Sequence, residues 1–291
     1  MSVLFNRLET WGARRWRRRA NVYRHIQMMR IRPLQLFRWM LAVSAVLMGT
    51  QVHGVASAAE PPADGSLSLI ITYHTAPANR PALHRELAQS VVREVQRWKR
   101  DGRIKRYRVL FNRYADSDNW DAMALLTFAT SSDLYRWRTI EQTTPAALSR
   151  KGLALTTAIH TAPVDLIRTD SAADTSQNAV YVVIPYKTLV SPSDYVNYAD
   201  GYVIPQFKGW MEEGVLSRYA LYTSSFPAGR PWTAMVILQY KDEAALSARD
   251  AVVAKVRERL KHNPEWKAIS DSKKSVRTEE QVVIADPVAV N

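Results

Sequence analysis

The chain repeats part of itself, and this repeat limits the folds that it can adopt more than any other feature of the sequence. Residues 98–111 read WKRDGRIKRYRVLF and residues 210–223 read WMEEGVLSRYALYT, 112 positions further on. Within the 29-residue window 98–126, eight residues are identical to their partners at this shift, whereas chance gives about two. We therefore expect two copies of one structural unit.

An amphipathic helix precedes each copy of this motif. Apolar residues recur at spacings of four and three, which is the period of one helix face. They are Leu83, Leu87, Val91, Val95 and Trp98 in the first copy, and Tyr195, Ala199, Val203, Phe207 and Trp210 in the second. Gly102 and Gly214 follow, where a helix end favours the left-handed backbone conformation. Pro205 lies inside the second helix, so we expect that helix to be kinked or broken there.

Strand-like segments flank the helices in both copies. The first copy reads SLSLIITYH, helix, IKRYRVLFNR, WDAMALLTFA, a helix from about Ser132, and VDLIR. The second reads VYVVIPY, helix, LSRYALYT, WTAMVILQY, the helix EAALSARDAVVAKVRERLK, and VVIA. Each half is then β-α-β-β-α-β, the ferredoxin-like plan, in which helices cover one face of a sheet and leave the other open. The sequence predicts an α+β protein in which the sheets of two tandem units pack face to face.

Two fused β-α-β-β-α-β units resemble the dimeric α/β-barrel superfamily, which includes small monooxygenases and haem-handling proteins. The likeness covers residues 66–287 and rests on topology, with no motif that identifies one member. It implies an intramolecular dimeric α/β-barrel, a ligand cavity between the sheets, and haem as a possible cofactor. Because the fused halves already do what two chains do in single-unit relatives, we predict a monomer with pseudo-dimeric halves.

The N-terminus predicts a leader. Arg30, Arg32 and Arg38 precede the apolar segment MLAVSAVLMG, and a stretch of small residues ends at Ala58. This is the order of a secretory signal, so we expect cleavage near Ala58 and a periplasmic or secreted protein. The apolar segment is about half of the roughly 20 residues that cross a bilayer, which argues against a permanent membrane span.

The predicted domains follow from the leader and the repeat. They are a basic leader and signal peptide at 1–58, a first ferredoxin-like repeat at 59–168, the linker TDSAADTSQN at 169–178, and a second repeat at 179–291. A leader of this length exceeds the usual range of about 15–30 residues. We therefore favour translation from Met28 or Met29 over a basic arm that stays in the cytoplasm.

The formal charge of +13 does not indicate nucleic-acid binding. Ten of the 40 basic residues and one of the 27 acidic residues lie within residues 1–39, so the rest of the chain carries only +4. The absence of cysteine excludes disulfides, thiolate metal sites and cysteine nucleophiles.

Strand alternation predicts which polar side chains share the open sheet face. In IKRYRVLFN, the polar residues Arg106, Arg108 and Asn112 alternate with apolar ones, and in LSLIITYH the less apolar set contains Thr72 and His74. The shift of 112 carries His74 to Tyr186 and Arg106 to Arg218. The ligand-binding candidates are therefore His74, Arg106, Arg108, Tyr186 and Arg218, with Thr72 and Asn112 nearby.

These residue types suit an anionic ligand. Two guanidinium groups in an enclosed space favour a carboxylate, enolate or phenolate. His74 could act as a base or as a metal or haem ligand, and Tyr186 as a hydrogen-bond donor. In the competing interpretation, Arg106 and Arg218 are structural and paired with acids across the sheet interface, and His74 is a solvated residue at a strand end.

The sequence contains no nucleophile elbow, phosphate-binding loop, dinucleotide fingerprint or paired-histidine zinc motif. Whether the chain is an enzyme stays open. We favour an exported small-molecule-binding or accessory protein, with an anionic or aromatic ligand in a cavity between the sheets. The alternatives are a cofactor-free or haem-dependent oxidoreductase of the monooxygenase type, and a protein-interaction module without a ligand.

Overall fold

A computed structural model describes residues 67–172 and 178–289. The predicted leader, its cleavage near Ala58 and the start at Met28 or Met29 lie outside these residues. Among the helices of the described part, none is long and apolar enough to cross a membrane.

The first half follows the predicted order of strands and helices. Its elements are β1 (Leu67–Thr75), a 3₁₀ turn (Pro77–Asn79), α1 (Arg80–Glu86), a π-helical turn (Leu87–Val91), α2 (Val92–Arg100), β2 (Arg106–Asn112), β3 (Ala122–Thr127), α3 (Ser131–Thr143), a 3₁₀ turn (Pro145–Ala147), α4 (Arg150–Leu155) and β4 (Thr156–Ser171). Strand β4 therefore extends three residues into the segment that we predicted as a linker.

The second half repeats this plan and adds to it. Its elements are β5 (Val180–Thr188), α5 (Pro192–Tyr198), a π-helical turn (Ala199–Val203), α6 (Ile204–Glu212), β6 (Leu216–Ser224), β7 (Ala234–Tyr240), α7 (Glu243–Ser247), α8 (Arg249–Leu260), α9 (Pro264–Val276), β8 (Arg277–Glu279) and β9 (Val283–Pro287). Helix α9 and strand β8 were not predicted. Asn263 caps α9 by accepting hydrogen bonds from the backbone N–H groups of Glu265 and Trp266, and Pro264 stands in its first turn.

The π-helical turns lie 112 residues apart and explain the apolar spacing of the helices. Leu83, Leu87, Val91 and Val95 are each four residues apart and fully buried. Residues four apart drift by about 40° per step around an α-helix, because a turn takes 3.6 residues. A π-helical turn is wider and takes up part of that drift, which keeps the four side chains on one face. The helix was predicted to be kinked or broken at Pro205. It is not broken there, since Pro205 lies in the first turn of α6, directly after the π-helical turn.

The strands form one closed antiparallel barrel rather than two separate facing sheets. Around the barrel the order is β7-β6-β4-β1-β3-β2-β9-β5, and β5 pairs with β7 to close it. Within each half the strands have the ferredoxin-like order, β4-β1-β3-β2 and β9-β5-β7-β6. The halves join where β2 pairs with β9 and where β4 pairs with β6. Strand β8 extends the β9 edge along the end of β5.

Three apolar cores hold this barrel together. Two lie between the outer barrel face and the helices of the first and the second half, and include Trp98 and Trp210. The third fills the barrel interior with side chains such as Ile70, Met123 and Val164. The middle of the barrel is therefore packed with apolar side chains.

Candidate functional site

A small cavity lies inside the barrel, at the end where β1, β2 and β6 begin. We call it the arginine cavity. Its volume is about 70 Å³, and it is lined by Arg106, Tyr107, Arg108, Leu125, Thr127, Tyr181, Arg218, Ala220, Tyr222, Ile237 and Gln239. Most of the lining comes from matching positions of the two halves. Arg106 pairs with Thr127 across β2 and β3, as Arg218 pairs with Gln239 across β6 and β7.

Three guanidinium groups line this cavity, those of Arg106, Arg108 and Arg218. Strand alternation placed Arg106 and Arg108 on the open sheet face, and the shift of 112 added Arg218. Within residues 67–172 and 178–289, no carboxylate lies within ion-pairing distance of any of the three. Burial lowers the pKa of Arg218, and the neighbouring charges of Arg106 and Arg108 lower it further. In the described part of the chain, the acid partners expected under the structural interpretation are thus missing.

Buried polar groups complete the cavity. The Tyr181 hydroxyl and the Gln239 Oε1 are both buried and have no hydrogen-bond partner among the described residues. The guanidinium of Arg108 lies 5.2 Å from the centre of the Tyr181 ring, a cation–π contact. Burial raises the pKa of Tyr222 to about 12, although the three arginines oppose the shift. Burial also raises the pKa of Tyr181, so both hydroxyls keep their protons at neutral pH and can donate hydrogen bonds.

The size of the cavity restricts its ligand. An engineered apolar cavity that binds benzene has a volume of about 150 Å³, roughly twice the space found here. The space beside the arginines therefore suits a small anion, and it is smaller than a cavity that encloses a whole aromatic ring. We expected a cavity between the sheets. Apolar side chains fill the middle of the barrel, and the arginine cavity lies at one end of it.

His74 does not belong to this site. It lies on the predicted face of β1 but at the opposite end of the barrel. Arg106 and Ser68 both pair with Thr127 of β3, and His74 is six residues further along β1 than Ser68. There it contacts His160, with ring centres 5.4 Å apart, and lines a pocket of about 320 Å³ that also contains Asp116 and Asp121. Burial, and next His160, lower the pKa of His74, while Asp121 acts in the opposite direction.

Tyr186 faces the helices instead of the barrel interior. The two strands β1 and β5 correspond at a shift of 113, since Tyr73 pairs with Ala122 as Tyr186 pairs with Ala234. The connection between β5 and α5 is one residue shorter than its counterpart after β1. A slip of one residue moves a side chain to the other sheet face. Arg277 stacks on the Tyr186 ring at 3.6 Å.

The two neighbouring candidates have structural roles. Asn112 is buried at the far end of β2, where its Nδ2 donates to the Trp120 carbonyl and its Oδ1 accepts from the Tyr114 amide. Thr72 is buried in β1 between its partners Met123 and His160. Neither residue lines the arginine cavity.

Tyr181, Tyr222 and Gln239 line the cavity but were not among the predicted site residues. The shift of 112 placed Arg218 on the inner face, and alternation along β6 also places Tyr222 there, four residues further on. Gln239 is the partner of Thr127 at the shift of 112. Tyr181 could be found only from the shift of 113, which matches LSLIITYHT with VYVVIPYKT at an isoleucine, a tyrosine and a threonine.

No protein-family model matches this chain, and no curated protein matches its sequence. Solved structures share its fold. A monooxygenase-like protein from Lactobacillus acidophilus NCFM is 11% identical, with a TM-score of 0.51 over 78% of this chain and 95% of its own. An anthrone oxidase-like protein is 14% identical, with a TM-score of 0.50 over 78% and 92%. A chlorite dismutase from Candidatus Nitrospira defluvii is 12% identical, with a TM-score of 0.46 over 77% and 92%.

These likenesses concern the fold. With its closed barrel and outer helices, the chain has the fold of the dimeric α/β-barrel superfamily, as its sequence pattern predicted.

Haem does not fit the arginine cavity. Haem iron is held by histidine, cysteine, methionine or tyrosine, and of these the cavity has only tyrosines. Burial raises the pKa of Tyr181 and of Tyr222, which disfavours the phenolate that would ligate iron. A space of about 70 Å³ is also far too small for the macrocycle. Within the described ranges, no group of three or more potential metal ligands lies together. Haem therefore stays a prediction from the fold resemblance, without a site assigned to it.

Proposed function

We propose that this protein binds a small oxyanion in the arginine cavity, as an exported binding or accessory protein. The observation that supports this proposal is the convergence of three guanidinium groups, without a carboxylate partner in the described residues, on a cavity inside the barrel. The three arginines are each partly buried, and an uncompensated charge in a partly desolvated site is unfavourable. A bound anion compensates these charges.

Each residue of the cavity would make a different contact with the anion. Arg106 and Arg218 occupy matching positions on β2 and β6, and their planar guanidinium groups offer N–H donors from both sides of the cavity. Arg108, held against the Tyr181 ring, adds a third donor and charge. The Tyr181 hydroxyl, which has no partner among the described residues, gains one when it donates to the anion. Carboxylates of one to three carbons, nitrate and bicarbonate have suitable charge and size.

Calorimetric titration tests this proposal. Formate, acetate, nitrate and bicarbonate are titrated into the protein in a zwitterionic buffer that is low in chloride. We expect saturable one-to-one binding of at least one of these anions, weakened by about ten-fold or more in Arg218→Met, since hydrogen bonds to charged groups contribute about 1.5–3 kcal/mol. Arg97→Met is the matched control, because Arg97 is exposed on α2 and pairs with Glu94. Equal loss in both variants, or no binding of any anion, would refute the proposal.

An oxidoreductase is the second candidate, and the names of the monooxygenase-like and anthrone oxidase-like neighbours are consistent with it. The binding function is favoured because the arginine cavity contains no group that is a base at neutral pH, and His74 lies at the other barrel end. Replacing His74 by Ala and assaying haem binding or substrate turnover tests this alternative. Unchanged behaviour would reject a role for His74.

We further propose that the barrel consists of two tandem ferredoxin-like units that arose by duplication, and that the chain is a monomer. The supporting observation is that α1, the π-helical turn and α2 recur at a shift of 112 with identical bounds. Export with cleavage near Ala58 belongs to the same proposal. Cell fractionation followed by N-terminal sequencing tests this proposal. Recovery of the protein from the cytoplasm alone would contradict export, and a first residue upstream of the apolar segment would contradict cleavage.

A further inference from the structure

A second basic site lies on the outside of the barrel in the second half, where α8, α9 and β8 meet. We call it the cationic groove. It has a volume of about 520 Å³ and is lined by Tyr202, Arg257, Lys273, Lys274, Arg277, Thr278 and Glu279. It shares no lining residue with the arginine cavity. Pockets for small organic molecules have volumes of about 300–1,000 Å³, so the groove has room for such a molecule.

The charges of this region divide into two groups. Nine lysines and arginines occur between residues 249 and 277. Five are paired with acids outside the groove: Arg249 with Asp250, Lys255 with Glu213, Arg259 with Glu212, Lys261 with Glu258, and Lys267 with Asp271.

The remaining four, Arg257, Lys273, Lys274 and Arg277, form no ion pair with any described residue, and all four line the groove. Glu279 is the one acid in the lining, so the groove carries a formal charge of about +3 from these five residues. A surface on which each cation merely faced solvent would not concentrate the unpaired ones in a single concave site.

Arg277 is held in a fixed orientation at the base of the groove. Its guanidinium stacks on the Tyr186 ring at 3.6 Å and lies 5.7 Å from the centre of the Tyr198 ring. Its Nε donates to the Tyr198 hydroxyl at 2.9 Å, and its backbone pairs with Thr188 of β5. The Nη1 atom is buried and has no hydrogen-bond partner among the described residues. A guanidinium already fixed by stacking loses little conformational entropy when it binds a ligand.

Arg257 is positioned by a neutral partner. Its Nε donates to the Gln206 Oε1 at 2.8 Å, and Gln206 is itself buried and bonded to the Tyr202 carbonyl. This contact orients the guanidinium without neutralising it. Lys273 and Lys274 come from the last turn of α9, where they offer mobile ammonium groups beside the two fixed guanidiniums.

We infer that the cationic groove binds a small organic phosphate that carries at least two negative charges. Fixed, planar guanidiniums together with flexible ammonium groups suit phosphate oxygens, which accept both forked and single hydrogen bonds. The volume indicates an organic molecule rather than a bare ion, and four cations require more than one negative charge. This inference does not depend on the proposed function, because the arginine cavity lies inside the barrel and is lined by other residues.

Titration with pyrophosphate tests the inference on the whole chain, at about 0.15 M salt, where diffuse surface electrostatics are screened. We expect saturable one-to-one binding. The double variant Lys273→Gln/Lys274→Gln should weaken it by about ten-fold or more, since two charge-assisted bonds are lost. Arg277→Lys keeps the positive charge but loses the bidentate hydrogen-bonding geometry of the guanidinium, and should weaken pyrophosphate binding as well.

Two controls separate the outcomes. Lys255→Gln/Lys267→Gln removes the same charge from α8 and α9 outside the groove, and should leave the affinity within about two-fold. Arg218→Met should also leave pyrophosphate binding unchanged, which distinguishes this site from the arginine cavity. Equal weakening by both lysine double variants, or no saturation up to about 10 mM pyrophosphate, would overturn the inference.

Discussion

Two arginines of the barrel should respond in opposite directions to the same substitution. Arg218 lies with Arg106 and Arg108 and has no carboxylate partner among the described residues. Arg168 has one, because its Nε and Nη2 donate to the two Asp200 carboxylate oxygens at 2.8 and 2.7 Å. Methionine keeps most of the side-chain length of arginine and removes its charge. We therefore expect Arg218→Met to stabilise the anion-free protein and Arg168→Met to destabilise it.

The magnitudes follow from the environment of each guanidinium. Replacing buried ionic groups by apolar ones stabilises proteins by about 1–4 kcal/mol. Since Arg218 is only partly buried, we expect a gain at the lower end, about 1 kcal/mol. Arg168→Met leaves the Asp200 carboxylate, which is two-thirds buried, without its bidentate partner, and should lower the free energy of unfolding by about 1–3 kcal/mol.

Scanning calorimetry in a zwitterionic buffer, with and without the anion, measures both effects. For a domain of this size, 1 kcal/mol shifts Tm by about 2–4 °C. An anion at 100 times its Kd should stabilise the unmodified protein by about 2.7 kcal/mol, and Arg218→Met should lose most of this gain. If Arg218→Met lowers Tm in anion-free buffer as much as Arg168→Met does, the guanidinium is a structural element and the reasoning is wrong.

Four further outcomes are expected. Tyr181→Phe removes a hydroxyl without a hydrogen-bond partner among the described residues, so the free energy of unfolding measured by chemical denaturation should change by no more than about 0.5 kcal/mol, while anion binding should weaken. A large loss of stability would contradict the absence of a partner for this hydroxyl. Gly102→Ala and Gly214→Ala should each lower the free energy of unfolding by about 1 kcal/mol, because φ is +70° and +76° and an added Cβ would meet no atom within 4 Å. Urea denaturation measures both values, and a clear difference between the two variants would contradict the view that the two helices end in the same way. The lowered pKa of His74 means that the unfolded chain binds a proton at this residue more readily than the folded chain, so stability should fall as pH drops below about 6.5. In His74→Asn the free energy of unfolding should depend less on pH between pH 5 and 7, and an unchanged dependence would contradict this role of His74. Light scattering should give the mass of a monomer, and an obligate dimer would contradict that prediction.

The sequence predicts the strand plan and the facing of the arginines because both depend on local periods. Alternation along β2 is enough to place Arg106 and Arg108 inside the barrel, and the shift of 112 adds Arg218 on β6. Which end of the barrel a residue occupies depends on strand direction. The predicted plan already makes β1 and β2 run the same way, so the separation of His74 from Arg106 was available from topology.

Other parts of the site depend on contacts that no local pattern contains. The facing of Tyr186 is set by one missing residue in the connection after β5, which a single constant shift of 112 conceals. The filling of the barrel depends on how side chains such as Met123 and Val183 interdigitate. That the cavity arginines have no acid partner can be known only once the carboxylates of distant segments have been placed.

Closure of the barrel within one chain permits an arrangement that two identical chains cannot form. In a two-fold symmetric dimer every side chain near the axis occurs twice, so the number of arginines around a shared cavity is even. Here Arg106 and Arg218 occupy matching positions, but the position that matches Arg108 holds Ala220. The cavity therefore has two arginines on the side of β2 and one on the side of β6. This asymmetry would hold an anion with two unlike ends in one orientation.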